Sequence, residues 1–541
     1  MAPIIDPLVA RALHALQGGD LGLASSLAAE RLTRNPNEPT CLMIAGLAAH
    51  ARGQLSEALE YLLRADQVAP RNPMILTNLG VVFRAVGRFG DARAAYETAL
   101  AVNGGHIPTR MNLARLLDQM GELTSAQAHY REVLRRSSDN PEALGGLAAV
   151  MEQQHELDEA KSLAERAMAR QPSALAGLTL AKIAVRERDA PAALSRLAQL
   201  WSAPMSAVNT ALALGLEGQA LDLQGQYDAA FAAFARANGV LRRLHAAAYA
   251  GVPSIASSHL LREIKDFVAS CGVTASVDTA ASPVASHVFL VGFPRSGTTL
   301  LEQALAAHPA IETLEERDTL GGAFQVLIES GSVPLFFASL DATRRDRLRA
   351  DYWDRVAAAL GRMPARPVFI DKMPINSAYM AMISAIFPNA RYIFAVRDPR
   401  DVVLSCFQQR FGMNAVMFRL LDLREAATLY DETMQAAHAA MAQLTLPVHR
   451  ICYERLVEDF EGQMRALFAF LGLGWSPEVL AYRQTARTRV IATPSAAQVV
   501  EPLSDRSIGK WRRYQTHMAP VLPVLRPWVE HFGYDLGPVS E

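Results

Sequence analysis

A period of 34 residues runs through the first half of the 541-residue sequence, and it constrains the fold more than any other feature. Glycines recur at this step, at Gly19, Gly53, Gly87 and Gly121. Alanines keep the same step, at Ala24, Ala58, Ala92, Ala126 and Ala160. In three copies a proline follows the alanine by twelve residues, at Pro36, Pro70 and Pro172. Chance rarely holds a register through five copies, so an ordinary helical bundle is a poor alternative to a repeat array.

The periodic residues are those that packed pairs of helices need. Glycine takes the turn between two helices, small residues such as Gly46 and Gly80 let the helices approach closely, and proline ends the second helix. The pattern resembles the tetratricopeptide repeat, which has the same 34-residue period. Two degenerate copies follow near 173–205 and 207–240, the latter marked by GQYDAAFAAFARA (225–237). The resemblance implies an all-α helical-repeat solenoid over residues 8–245.

The composition is that of a globular protein, and it excludes several classes of function. The 53 basic residues nearly balance the 54 acidic ones, whereas a general nucleic-acid binder carries a basic excess. The four cysteines lack CxxC spacing, which argues against a disulfide framework and a thiolate metal site. No stretch approaches the ~18 apolar residues of a membrane span, and the N-terminus lacks a signal-peptide pattern. We therefore expect no nucleic acid, no metal, no membrane span and a cytoplasmic location.

The periodicity changes after residues 246–285, which we interpret as a last helix and a linker. Short apolar runs bounded by turn residues then appear: HVFLVGF (287–293), PVFID (367–371), ARYIFAV (390–396) and PVHRICY (447–453). Helical stretches such as TTLLEQALAAH (298–308) lie between them. Buried strands alternating with amphipathic helices predict an α/β domain with a central parallel sheet over residues 286–541.

The first predicted strand leads into a P-loop-like segment, GFPRSGTT (292–299). Backbone N–H groups between a strand and a helix N-terminus bind phosphate. The spacing fits the P-loop template, but Thr298 stands where the template has its lysine. This substitution weakens the interpretation as a kinase or another nucleoside-triphosphate enzyme. Arg295, two residues before Gly297, supplies a cation instead.

A second phosphate-binding pattern, VRDPRDVVLS, follows the run at 390–396. Arg397 at the end of that strand and Ser405 within the next helix can grip a phosphate together. The alternative is that Arg397 forms a surface ion pair with Asp398 or Asp401.

The two patterns together, PRSGTT and later R-D-P-R-x4-S, resemble the sulfotransferases that use 3′-phosphoadenosine 5′-phosphosulfate (PAPS). The resemblance covers about 286–541. It implies that the second pattern, with Arg397 and Ser405, binds the 3′-phosphate of the donor. The residues that it assigns to the 5′-phosphosulfate are Arg295, Ser296, Gly297, Thr298 and Thr299.

Local segments most resemble the tyrosylprotein sulfotransferases. By this resemblance Glu316 in AHPAIETLEERDTL (307–320) is the general base, whereas a salt bridge or a helix cap is its structural alternative. Lys372 in IDKMP (370–374) is one of only five lysines in the chain and would stabilise the leaving group together with Arg295. Asp318 stands where that group has an arginine, a departure that bears on the acceptor.

The resemblance extends to two segments nearer the C-terminus. In ICYERLVEDF (451–460), Tyr453 would lie near the nucleotide, with core packing as its alternative. The segment SAAQVVEPLSDRSIGKWRRY (495–514) resembles the closing loop of the family, where Ser495 and Lys510 would contact the nucleotide.

The expected function is transfer of the sulfuryl group from PAPS to an acceptor hydroxyl by in-line displacement, with adenosine 3′,5′-bisphosphate (PAP) as product. The acceptor could be a protein held by the repeat arm, or a carbohydrate, lipid or small molecule. The arm could instead mediate homodimerisation. An alternative of another class is a non-catalytic repeat scaffold that binds nucleotide.

Overall fold

A computed structural model describes residues 6–202, 204–252, 254–270, 282–484 and 504–536. The chain divides into two compact units, Met1–Ala203 and Pro204–Glu541. The predicted domain boundaries at 245 and 286 remain a prediction, because this division falls earlier in the chain.

The first unit consists of consecutive helical hairpins, which confirms the predicted all-α repeat architecture. Its helices are α1 (Pro7–Gln17), α2 (Leu21–Arg34), α3 (Pro39–Ala51), α4 (Leu55–Val68), α5 (Pro73–Ala85), α6 (Phe89–Val102), α7 (Ile107–Gln119), α8 (Leu123–Arg136), α9 (Pro141–Gln153), α10 (Leu157–Arg170), α11 (Ala174–Arg186) and α12 (Ala190–Leu200).

Turns and close contacts explain the 34-residue period. The four periodic glycines adopt left-handed φ values of 77–80°, which a residue without Cβ adopts at little cost. Within the hairpins, a Cβ added to Gly80 would lie 2.4 Å from the Tyr96 ring, and one added to Gly146 would lie 2.5 Å from the Tyr130 ring. The helices therefore pack at distances that exclude even a methyl group at these two positions.

The second unit begins with a further helical hairpin, followed by a single helix and an α/β domain. Its helices are α13 (Ala207–Leu223), α14 (Tyr227–Tyr249), α15 (Ser258–Ser270), α16 (Thr298–Ala306), α17 (Gly321–Glu329), α18 (Val333–Ala338), α19 (Ala342–Leu360), α20 (Met380–Ile386), α21 (Pro399–Gln408), α22 (Ala415–Leu420), α23 (Leu423–Gln443), α24 (Tyr453–Glu458), α25 (Phe460–Leu471), α26 (Gln515–Met518) and α27 (Leu522–His531). Short 3-10 helices span Pro374–Tyr379, Pro477–Ala481, Asp505–Ser507 and Lys510–Tyr514.

A five-stranded sheet lies at the centre of the α/β domain, and every pair of neighbouring strands is parallel. The strands are β1 (Ser286–Val291), β2 (Ile311–Glu315), β3 (Val368–Lys372), β4 (Arg391–Val396) and β5 (Val448–Cys452), in the spatial order β2-β3-β1-β4-β5. The predicted parallel sheet is confirmed. Sequence reasoning missed β2, because this edge strand has no continuous apolar run.

Both faces of the sheet are buried, as a parallel sheet requires. In β1, Phe289 and Val291 belong to the larger core, whereas Val288 and Leu290 belong to the core on the opposite face. Since side chains alternate along a strand, one strand contributes to both cores. All five strands therefore end at one edge of a rigid, two-sided framework.

Candidate functional site

The structure brings most of the predicted site residues to the carboxyl edge of the sheet. The phosphate loop follows β1, Glu316 follows β2, Lys372 ends β3, Arg397 follows β4 and Tyr453 follows β5. The chain order moves from β1 to one side of the sheet (β2, β3) and then to the other (β4, β5). Ligands of open α/β sheets bind outside the carboxyl ends of the strands at such a switch point.

The loop after β1 has the backbone of an anion-binding turn. Gly297 adopts φ 90° and immediately precedes α16, so the first N–H groups of that helix point towards the loop. Arg295 also has a positive φ, 73°, which is uncommon for a residue with a Cβ. A Cβ on Gly297 would lie 2.7 Å from the Tyr453 ring. The absence of a side chain at Gly297 therefore lets Tyr453 close one side of the loop.

Two buried arginines lie beside this loop. Arg295 Nε donates to Ser405 Oγ at 3.0 Å, which joins the two phosphate patterns predicted separately from the sequence. Arg397 Nη1 donates to the carbonyl oxygen of Arg295 at 3.2 Å, and its guanidinium carbon lies 4.8 Å from the centroid of the Tyr453 ring. Burial lowers the pKa of Arg295 to about 10, so the side chain still carries its charge at neutral pH.

The surroundings of Arg397 argue against the alternative of a simple ion pair. Asp398 instead forms an ion pair with Arg400, at 2.7 Å, and Asp401 lies 4.0 Å from Arg397. Asp401 accepts from the backbone N–H groups of Gly509 and Trp511, at 2.6 and 2.8 Å. Asp401 therefore anchors the C-terminal segment over α21, and Arg397 has no close carboxylate partner in the described parts of the chain.

Glu316 and Lys372 form the second part of the site. Lys372 is fully buried, and its Nζ donates to Glu316 Oε1 at 2.7 Å and to Glu315 Oε1 at 3.4 Å. The backbone N–H of Glu316 donates to the carbonyl of Lys372 at 2.8 Å, and Glu316 has a strained φ of 41°. The Glu316 side chain remains 32% exposed. A partly accessible carboxylate is thus held against a buried ammonium group.

A buried polar chain behind this pair was missed by sequence reasoning. Thr319 Oγ1 and the Tyr352 hydroxyl donate to Asp371 Oδ2 at 2.7 and 2.9 Å, and His287 Nε2 lies 2.8 Å from the same hydroxyl. Burial raises the pKa of Asp371 to about 6 and lowers that of His287 to about 3. The only sequence signal was Asp371 itself, an acidic residue inside a buried strand.

The other predicted residues have distinct surroundings. Ser296, Thr298 and Thr299 are buried in the loop, consistent with backbone and hydroxyl donors near an anion. Lys510 Nζ lies 3.0 Å from Asp222 Oδ2 and donates to Gln408 Oε1 at 3.0 Å. Ser495 lies outside the described residues.

Ser507 was not predicted, although it contacts the site directly. Its carbonyl accepts from Arg397 Nη2 at 2.6 Å, and its Oγ lies 3.2 Å from the Tyr453 hydroxyl. Ser507 thereby links the C-terminal segment to the end of β4 and the start of α24. The segment SIGKW contains it, but nothing in the sequence separates this serine from its neighbours.

No described group of three or more histidine, cysteine or acidic side chains has an arrangement that could hold a metal ion. Among the described helices, none combines the length and apolar character needed to cross a bilayer.

Comparison with known proteins assigns both parts of the chain to families. Residues 287–477 match the sulfotransferase family. Residues 9–73, 72–139 and 119–183 match tetratricopeptide repeats. The protein therefore combines a tetratricopeptide-repeat region with a sulfotransferase domain, which confirms both resemblances found in the sequence.

Individual relatives agree with this assignment. An uncharacterized protein of Aquifex aeolicus is 30% identical over 45% of this chain and 33% of its own length. Protein-tyrosine sulfotransferase 2 of Gallus gallus is 27% identical over 46% of this chain and 69% of its own length. The chain thus spans a third of the first relative's length. A solved tetratricopeptide repeat protein from Parabacteroides merdae is 19% identical with a TM-score of 0.37, over 43% of this chain and 91% of that one.

Proposed function

We propose that the sulfotransferase domain transfers the sulfuryl group of PAPS to an acceptor hydroxyl. The observation that carries this proposal is the convergence at one sheet edge of two buried arginines, a helix N-terminus and the Glu316–Lys372 pair. The first three groups bind anions, and the pair supplies a base beside a cation. The sulfotransferase-family match supports the reaction class.

The residues present fit a donor with phosphate groups at both ends. Arg397 Nε is buried and has no hydrogen-bond partner among the described residues, so a ligand oxygen would satisfy it. By the family resemblance, Arg397 and Ser405 hold the 3′-phosphate, whereas Arg295 and the loop from Ser296 to Thr299 hold the 5′-phosphosulfate. Tyr453 and Lys510 complete the proposed nucleotide contacts.

Bound PAPS supplies the activated sulfuryl group and an anionic leaving group. Glu316 accepts the proton of the acceptor hydroxyl, which makes its oxygen a better nucleophile. Lys372 and Arg295 place positive charge where the leaving group becomes more negative. Because Lys372 is fully buried, its charge is screened less by water than a surface lysine would be.

A protein hydroxyl is the acceptor that we propose. The relatives named protein-tyrosine sulfotransferases support it, and tetratricopeptide repeats are commonly protein-binding modules. A carbohydrate, lipid or small-molecule acceptor remains the alternative, since a fold does not specify a substrate. The cytoplasmic location stays a prediction of the sequence.

Nucleotide binding tests the donor assignment. PAP should raise the melting temperature of the full chain far more than ATP with Mg²⁺ does, because the loop lacks the P-loop lysine. Equal shifts, or a larger shift with ATP, would remove PAPS from the proposal.

Replacement of Glu316 tests the base. Glu316→Gln keeps the shape and a hydrogen-bond acceptor for Lys372, so PAP affinity should change little. Sulfate transfer from PAPS should fall about 100-fold or more, the contribution of a positioned base. Glu329→Gln is the matched control, since Glu329 is an exposed glutamate at the end of α17. Wild-type turnover in Glu316→Gln would exclude the base role.

The acceptor class is tested by removal of the first compact unit, residues 1–203. Transfer to a protein acceptor should fall, while transfer to a small phenol and the PAP-induced stabilisation should persist. An unchanged rate with the protein acceptor would separate the repeats from acceptor binding.

A further inference from the structure

The hairpin formed by α13 and α14 continues the repeat pattern but belongs to the compact unit that contains the sulfotransferase domain. Its turn residue Gly225 has φ 75°, and a Cβ on Gly218 would lie 2.7 Å from the Phe234 ring. These are the same turn and the same close packing that the first unit repeats. The hairpin is therefore a repeat-like element built into the second unit.

The hairpin contacts the helix that carries Ser405. Asn238 Nδ2 donates to the carbonyl oxygen of Phe407 at 2.9 Å, and both residues are buried. The Phe231 ring stacks on the Phe407 ring with centroids 5.0 Å apart. Since Phe407 and Ser405 lie two residues apart in α21, the hairpin helps to hold the end of this helix in place.

The hairpin also contacts the segment that carries Lys510. Asp222 in α13 forms an ion pair with Lys510 at 3.0 Å and accepts a hydrogen bond from the Tyr514 hydroxyl. The Tyr227 and Tyr514 rings meet edge to face with centroids 5.4 Å apart. The Asp222 carboxylate is thus held by two partners in the C-terminal segment, and its side chain is only 16% exposed.

Lys510 is held close to the anion-binding cluster. Its ammonium group donates to Gln408, which lies one helical turn after Ser405 in α21. An ammonium group has three N–H donors, and the described part of the chain provides Asp222 and Gln408 as two partners. One donor therefore remains for a ligand anion on the Ser405 side of the site.

We propose that Asp222 is a positioning residue for nucleotide binding, which it serves by holding Lys510 ready to contact the 3′-phosphate. This inference rests on the proposed function, because it assumes that the site binds PAPS and PAP. A lysine has several rotatable bonds, and a ligand that must order it binds more weakly. The ion pair with Asp222 orders the side chain before the nucleotide arrives.

A double-mutant cycle tests the proposal by calorimetric titration of the full chain with PAP. Asp222→Asn should weaken PAP binding about two- to tenfold, the factor for ordering one long side chain. In a Lys510→Met background the same substitution should have no further effect. Neither substitution should alter the affinity for adenosine 5′-phosphate, which lacks the 3′-phosphate. Asp228→Asn is the matched control, because Asp228 lies on the same hairpin and its partner is His517.

The outcomes separate this inference from the proposed function. Wild-type protein that binds PAP, with unchanged or tighter binding by Asp222→Asn, overturns the role of Asp222 alone. Equal weakening in both backgrounds, or weakening with adenosine 5′-phosphate as well, shows a general structural role and also overturns it. Wild-type protein that does not bind PAP removes the proposed function and this inference together. If Asp222→Asn does not fold, Asp222→Ser provides the same cycle.

Discussion

Thr319 offers a direct test of the buried polar chain behind Glu316. Its side chain is buried, and its hydroxyl donates to Asp371 Oδ2 at 2.7 Å. Thr319→Val removes this donor and keeps the branched shape of the side chain, so no cavity forms. The substitution therefore isolates one hydrogen bond to a buried carboxylate.

The expected magnitude follows from the surroundings of Asp371. This carboxylate is fully buried, and its Oδ1 has no hydrogen-bond partner among the described residues. Thr319 and Tyr352 are therefore its two donors within the described part of the chain. A hydrogen bond to a charged group contributes about 1.5–3 kcal/mol, and Thr319→Val should lower the free energy of unfolding by that amount. Thr319→Ser keeps the hydroxyl and loses one methyl group, at a cost of about 0.8 kcal/mol.

Urea unfolding followed by tryptophan fluorescence measures this difference in the full chain. Four of the five tryptophans lie in the second unit, at Trp353, Trp475, Trp511 and Trp528. Trp353 reports on the polar chain itself, since its ring centroid lies 5.1 Å from that of Tyr352. Sulfate transfer should also fall further in Thr319→Val than in Thr319→Ser, because Thr319 closes the loop that holds Glu316. A valine variant as stable as the serine variant would refute the reasoning.

Two further predictions concern packing and pH. Gly80→Ala places a methyl group against the Tyr96 ring and should destabilise the first unit by about 1–3 kcal/mol, as measured by circular dichroism during thermal unfolding. Gly90→Ala, in open space on the neighbouring helix, should be neutral or stabilising by up to about 1 kcal/mol, and equal losses in the two variants would contradict the packing argument. Burial raises the pKa of Asp371 from 3.8 to about 6, so the native state binds more protons in this range and the carboxylate lowers stability as pH rises through it. Asp371→Asn should therefore compare more favourably with the wild type at pH 7 than at pH 4 in urea unfolding, and an identical difference at both pH values would exclude this effect.

Much of the fold could be predicted because its signals are local. The turn glycines and the small residues of the hairpins recur at a fixed step, so a single hairpin explains each copy. Four of the five strands are apolar runs bounded by turn residues. The edge strand β2 escaped prediction because alternate residues along it, Glu312 and Glu315 among them, are only partly buried.

The site could be predicted only in part, for a geometric reason. Residues that follow parallel strands must meet at one edge, so motifs after strands already implied that Arg295, Lys372 and Arg397 lie close together. The hydrogen-bonded chain from Thr319 to His287 has no motif, because its members come from a loop, a helix and two strands. Ser507 likewise differs from neighbouring polar residues only through its contacts with Arg397 and Tyr453.

The sequence by itself determined a helical-repeat region followed by a sulfotransferase-like domain with two phosphate-binding patterns. Periodicity and strand-end motifs suffice for this, since both arise from contacts within short segments. Only the tertiary structure decided which charges meet: Glu316 with Lys372, Asp398 with Arg400, and Lys510 with Asp222. Asp222 and Lys510 are far apart in the chain, and no local pattern specifies that distance. It also decided that the last hairpin belongs with the sulfotransferase domain, because its aromatic and polar side chains pack against α21 and the C-terminal segment.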